Sequence, residues 1–114
     1  MPYVKIQSNI SIDEQQARDL LTSISQLTAR ELGKPESYVM VALEPLTTMM
    51  FAGSDEPLAY LELKSIGLPD SKTAQLSEVL CDVMQESLGI SKDRVYIEFA
   101  DAPRNMWGWN GGTF

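Results

Sequence analysis

Apolar residues recur at helical spacing in two segments of the chain, and short runs of β-branched and aromatic residues lie around them. In SIDEQQARDLLTSISQLTARELG, Ala17, Leu20, Leu21, Ile24, Leu27 and Leu32 share one face of a predicted helix. Ser11 with Glu14 three residues later predicts a capping box, and Asp13 suits the positive end of the helix dipole. Gly33 closes the segment, with Pro35 just beyond it. A second helix is predicted after Pro69-Asp70, with Leu76, Val79, Leu80, Val83, Met84 and Leu88 on one face and Gly89 at its end. Strands are predicted at Pro2–Gln7, at YVMVALE from Tyr38, more briefly at TTMMFAG, at LAYLELKSI from Leu58 and at RVYIEF from Arg94. GSDEP reads as a turn, and the tail DAPRNMWGWNGGTF is rich in Gly and aromatic residues.

The pattern is doubled. LGKPESYVMVAL and LGISKDRVYIEF each put a helix-ending glycine six residues before the first strand valine, Gly33 before Val39 and Gly89 before Val95. Two β-α-β units with right-handed crossovers predict an α/β (α+β) fold: one domain over residues 1–114, a four-stranded mixed sheet and both helices on one face. No stretch between the units has the composition of a flexible linker. Both alternating sets of the second strand are apolar, Val39/Val41/Leu43 and Tyr38/Met40/Ala42. A sheet with one wet face would alternate more cleanly, so the face away from the helices calls for a cover. A second copy of the chain is the simplest one, and it would also protect the edge strands.

Composition narrows the chemistry more than the fold. The chain of 114 residues carries a formal charge of −7, and its nine Lys and Arg are scattered. Phosphate contacts need clustered cations, so neither nucleic acid nor an anionic membrane surface is an expected partner. There is no His, which excludes His-dependent triads and histidine metal sites. The single cysteine, Cys81, falls on an apolar helix stripe and reads as a small core residue. The N-terminus lacks the basic-then-apolar pattern of a signal peptide, and no apolar run is long enough to cross a bilayer. A cytoplasmic protein is expected. Acid–base chemistry is left to carboxylates, Lys, Tyr, Cys81 or a terminal amine. Pro2 stands out here: as the first residue of a strand it is merely tolerated, but removal of Met1 would convert its ring nitrogen from an amide to a basic secondary amine.

MPYVKI, GKPESYVMV, GSDEP, KSIG, LGISKDRVYI and WGWNGGTF, taken in order, resemble the macrophage migration inhibitory factor family of tautomerases over nearly the whole chain. The resemblance implies a duplicated β-α-β unit assembled as a homotrimer, with one active site at each subunit interface. It implies keto–enol tautomerisation of phenylpyruvate- or dopachrome-type compounds, with the N-terminal proline shuttling the proton. Pro2 is then the catalytic base. Lys34 would bind the carboxylate of a small aromatic α-keto acid and help to lower the proline pKa, and the backbone N–H of Ile66 would bind the same group. Tyr96 would line the pocket from a neighbouring subunit. Trp107 and Trp109 lie on the same side of an extended chain, either as a pocket wall or as a hydrophobic plug, and Tyr38 is either core or wall. Met106 and Phe114 read as packing. No metal or organic cofactor is implied, because the keto group itself acidifies the transferred proton. Leaderless secretion is reported in the family, and a receptor is not identifiable from these residues.

Three features depart from the family pattern. Leu58, Ala59, Tyr60 and Leu61 stand where the vertebrate cytokine has C-x-x-C, so the thiol–disulfide activity ascribed to that motif is not expected. Glu98 replaces an Asn and would repel a substrate carboxylate unless it is turned away or paired. Trp107 replaces a valine and is expected to narrow the pocket. The competing readings are a non-catalytic cytokine-like signalling or binding protein on the same fold, and a hydratase or dehalogenase of acrylate-like acids. The second calls for an Arg pair that the sequence does not display.

Overall fold

A computed structural model describes all 114 residues. Strand β1 (Tyr3–Ser8) leads into helix α1 (Glu14–Leu32), and strand β2 (Met40–Glu44) returns beside β1 in parallel. Strand β3 (Ala59–Ile66), helix α2 (Thr73–Leu88) and strand β4 (Val95–Ala102) repeat the unit, with β4 parallel to β3. An antiparallel β1–β3 pair joins the halves, giving the order β2-β1-β3-β4. The four-stranded mixed sheet and two-helix layer inferred from the doubled pattern are the fold observed. No helix is long and apolar enough to cross a membrane.

Alternation along the strands decides where the core lies. Val4 and Ile6 of β1, Leu61 and Leu63 of β3 and Val95 of β4 point to the helices, where they meet Leu20, Ile24 and Leu27 of α1 and Leu76, Leu80 and Met84 of α2. The helix stripes read from the sequence are the stripes buried. The start of α1 differs. Asp13, not Ser11, caps it: the Asp13 carboxylate accepts from the Gln16 amide at 2.8 Å, and the Gln16 side chain accepts from the Asp13 amide at 3.3 Å. Both D-x-x-Q and S-x-x-E satisfy the capping-box spacing, and the chain uses the one nearer the first apolar turn.

The segment read as a short strand, TTMMFAG, is irregular, with only an isolated bridge between Phe51 and Ser54. Leu46 and Ala52 take positive φ, 54° and 52°, which bends the chain out of any ladder. Tyr38 also lies outside β2, in a single 3-10 turn (Glu36–Tyr38) that follows Pro35. The face of the sheet away from the helices is less apolar than expected. Met40 and Tyr96 are exposed there, but polar pairs run between them: Lys5–Glu44 at 3.4 Å, Gln7–Glu44 at 2.9 Å, Lys64–Glu62 at 3.6 Å and Tyr60–Glu98 at 2.6 Å.

One buried polar atom has no partner. Thr28 of α1 is fully buried in the core layer, and its hydroxyl makes no hydrogen bond. An unsatisfied buried hydroxyl costs about 1–3 kcal/mol, so Thr28→Val is expected to stabilise the fold by about 1 kcal/mol. Urea unfolding checks this: the midpoint should rise with no change in slope, and an unchanged or lower midpoint contradicts it.

Candidate active site

Pro2 immediately precedes β1, its side chain fully buried, and its carbonyl accepts from the Met40 amide at 3.0 Å. This contact joins the chain start to the first residue of β2, and both residues line a cleft of about 450 Å³. Met1, Pro2 and Tyr3 form one side, with Tyr38, Val39 and Met40 next to them. Trp107, Trp109 and Phe114 complete it from the tail. Most of the lining is apolar.

The tail reaches the cleft through a two-residue hairpin. Strands β5 (Gly108–Trp109) and β6 (Gly112–Thr113) pair around Asn110 and Gly111, whose φ values of 50° and 82° are those of a type I′ turn. Beyond it the Phe114 amide donates to the Trp107 carbonyl at 3.2 Å. Residues opposite each other in an antiparallel pair share a face, so Phe114 joins Trp107 and Trp109. The Trp109 and Phe114 rings stack at 5.4 Å, and Tyr38 meets both edge-on at 5.9 and 6.0 Å. Gly111→Val forces a branched side chain into left-handed backbone and is expected to disfavour the hairpin by about 1–2 kcal/mol. The near-ultraviolet circular dichroism of the tryptophans should weaken while the urea midpoint moves little, because the hairpin lies outside the core. An unaltered aromatic spectrum would count against this ordering of the tail.

Lys34 is delivered by the end of α1. Gly33 adopts left-handed backbone (φ 62°), and the Lys34 amide closes the cap on the Ala29 carbonyl at 3.0 Å. The Lys34 ammonium donates to the Ile66 carbonyl at 2.8 Å, which brings two of the sequence candidates together. It also lies near the chain terminus. Burial, and secondarily the Lys34 charge, hold the Met1 ammonium below its ordinary pKa. The bond to the Ile66 carbonyl is the one hydrogen bond the Lys34 ammonium makes within the chain, and Lys34 is not among the residues lining the cleft.

Tyr96 does not join this group within one chain. It stands four residues before Ala100 on β4, and Ala100 aligns through Lys64 with Tyr3; roughly 13 Å along the strands and roughly 10 Å across them separate Tyr96 from the start of β1. Tyr96 is 65% exposed and packs instead against Phe51, ring centroids 4.6 Å apart. Glu98, whose charge posed a difficulty, is paired: the Tyr60 hydroxyl donates to it at 2.6 Å. That hydrogen bond is the main reason that the Tyr60 pKa is pushed up to about 12, so the phenol keeps its proton and remains the donor. Phe114, expected to serve as packing, is a wall of the cleft; Asn110-Gly111 is the sequence signal that places it there. Tyr3 and Met40 line the cleft without having been singled out.

Comparison with known proteins gives one answer. The family model described as macrophage migration inhibitory factor (MIF) matches residues 1–114. The macrophage migration inhibitory factor homolog of Brugia malayi is 38% identical over 115 residues, covering 100% of this chain and 99% of that protein. The crystal structure of the homologue from Prochlorococcus marinus is 44% identical, covers 98% of each chain and superposes with a TM-score of 0.94. The structure of the protein from Trichinella spiralis is 36% identical, covers 98% of this chain and 99% of that one, and has a TM-score of 0.90. The chain belongs to the macrophage migration inhibitory factor family.

Proposed function

We propose that this protein is a keto–enol tautomerase of small aromatic α-keto acids, acting through Pro2 once Met1 has been removed. One observation carries the reading most directly: Pro2 is fully buried at the side of an aromatic cleft, with the Lys34 cation acting on the chain terminus beside it. Burial and a neighbouring cation both disfavour the ammonium at Met1, and the same two causes acting on a Pro2 amine would favour its unprotonated, basic form without any His. Lys34 and the Ile66 amide anchor the substrate carboxylate. Tyr38, Trp107 and Trp109 hold the aryl ring, and Phe114 is added to them by its place in the cleft. Tyr96 is too far from its own Pro2 to take part, so its role requires a neighbouring copy, as in a homotrimer with sites between subunits.

In the reaction, the Pro2 amine takes a proton from the carbon between the ring and the keto group. The electron pair of the broken C–H bond forms the C=C bond, and the carbonyl π electrons move to oxygen. The ammonium then delivers the proton to that oxygen, giving the enol and restoring the amine. Nothing is oxidised or reduced, and the chain supplies the only acid and base needed. The test begins with the intact mass of the purified protein. Material lacking methionine is expected to interconvert enol and keto phenylpyruvate, and silence from a free Pro2 amine would count against the enzyme reading. It would leave the signalling or binding alternative.

A further inference from the structure

Arg94 is joined to the rest of the chain in a way that the functional reading has not used. Its Nε donates to the Pro57 carbonyl at 3.0 Å, one terminal nitrogen donates to Phe51 at 3.2 Å, and the other donates to Ser54 and to Glu56, both at 3.1 Å. The guanidinium also lies over the Phe51 ring, 5.4 Å from its centroid. None of the chain's ion pairs involves it. One planar fork therefore gathers four carbonyls of a seven-residue stretch that has no ladder of its own and contains a left-handed Ala52 (φ 52°). Lysine cannot replace this, because an ammonium lacks the fixed, diverging donors.

The stretch that Arg94 fixes carries the brace of Tyr96. Phe51 packs on the Tyr96 ring at 4.6 Å, and the two rings bound an apolar cleft of about 260 Å³ together with Met50 and Leu58. Arg94 itself lies two residues before Tyr96 in the chain. We infer that Arg94 is a positioning residue of the proposed active site: by tying Phe51 and the turn after it to the start of β4, it pre-orients the Tyr96 ring that meets the substrate. The inference rests on the tautomerase reading, in which Tyr96 of one copy faces the Pro2 cleft of another. A wall that is already ordered spares the substrate the entropy of ordering it, so the effect belongs in binding rather than in proton transfer.

The experiment uses Arg94→Lys and Arg94→Ala in the full chain with Met1 removed, assayed with phenylpyruvate. Both variants are expected to raise KM about 5–20-fold and to hold kcat within about twofold. Added methylguanidinium should lower the KM of Arg94→Ala and leave the wild type unchanged. Phe51→Leu keeps the guanidinium and removes the ring brace; it should raise KM in the same direction even if an Arg94 variant fails to fold. Unchanged KM in folded Arg94 variants, or unchanged KM in Phe51→Leu, overturns the positioning role while the wild-type enzyme still turns over. A wild type with a free Pro2 amine and no turnover overturns the tautomerase reading, and the role assigned to Arg94 with it.

Discussion

A chain that keeps Met1 is expected to tautomerise phenylpyruvate about 10²–10⁴-fold more slowly than the same chain beginning at Pro2, the range ascribed to a positioned acid–base group. With Met1 in place the Pro2 nitrogen belongs to an amide, its lone pair is delocalised into the carbonyl, and it cannot take the substrate proton. Backbone pairing gives no reason for a further difference, although Met1 forms part of one side of the cleft and its removal also alters that side. The ladder starts at Tyr3, Pro2 contributes only its carbonyl to Met40, and that bond is available in both forms. The Met1 amine is no substitute, because it lies one residue away from the position that the mechanism requires. The measurement is a pair of preparations distinguished by intact mass, with the far-ultraviolet spectrum showing that both are folded. Equal rates would remove Pro2 from the mechanism and leave the cleft without an assigned base.

The two halves of the molecule were legible because local rules and the core agree. The stripes of Leu20, Ile24 and Leu27 and of Leu76, Leu80 and Met84 are continuous at helical spacing, and Gly33 and Gly89 terminate them with left-handed backbone. Where two local signals competed, the sequence was ambiguous: Ser11/Glu14 and Asp13/Gln16 both fit a cap, and only the position of the first helical turn separates them. TTMMFAG departs from its expected strand for a different reason. Its apolar run resembles a strand, but its path is set by a guanidinium that arrives from Arg94, some forty residues later. The site followed the same division. Lys34 is placed by its own helix end, whereas its contact with Ile66 depends on the pairing of distant segments. Phe114 could have been found locally, since an Asn-Gly turn folds the tail back and sets it opposite Trp107. The pairing of Tyr60 with Glu98 had no local signature, because parallel register between β3 and β4 is a property of the whole sheet.

Lys34→Ala is expected to reduce kcat/KM for phenylpyruvate about 10–100-fold, the equivalent of losing one charge-assisted hydrogen bond of about 1.5–3 kcal/mol. Two effects combine, and pH separates them. Loss of the carboxylate anchor raises KM at every pH. In the chain that begins at Met1 the Lys34 charge lowers the pKa of the terminal amine; the same charge is expected to act on a Pro2 amine, so its loss should let that amine hold its proton more strongly. In the proposed mechanism the base is the unprotonated amine; the acid limb of the kcat/KM profile should therefore move to higher pH, and the deficit should be largest at low pH. Stability follows the same sign. An amine whose folded pKa is depressed penalises the folded state while it is protonated, so the chain that begins at Met1 gains stability as pH rises between the lowered folded value and the ordinary unfolded one. Lys34→Ala should shrink that gain. Burial, the larger cause, persists in the variant, so the limb should move only part of the way towards an unburied amine. Lys34→Arg is the informative control: it keeps the charge beside the amine and changes the geometry of the anchor. A raised KM with the acid limb unmoved is the result expected of it, whereas an equal shift of the limb in both variants would mean that the Lys34 charge does not set the basicity of Pro2.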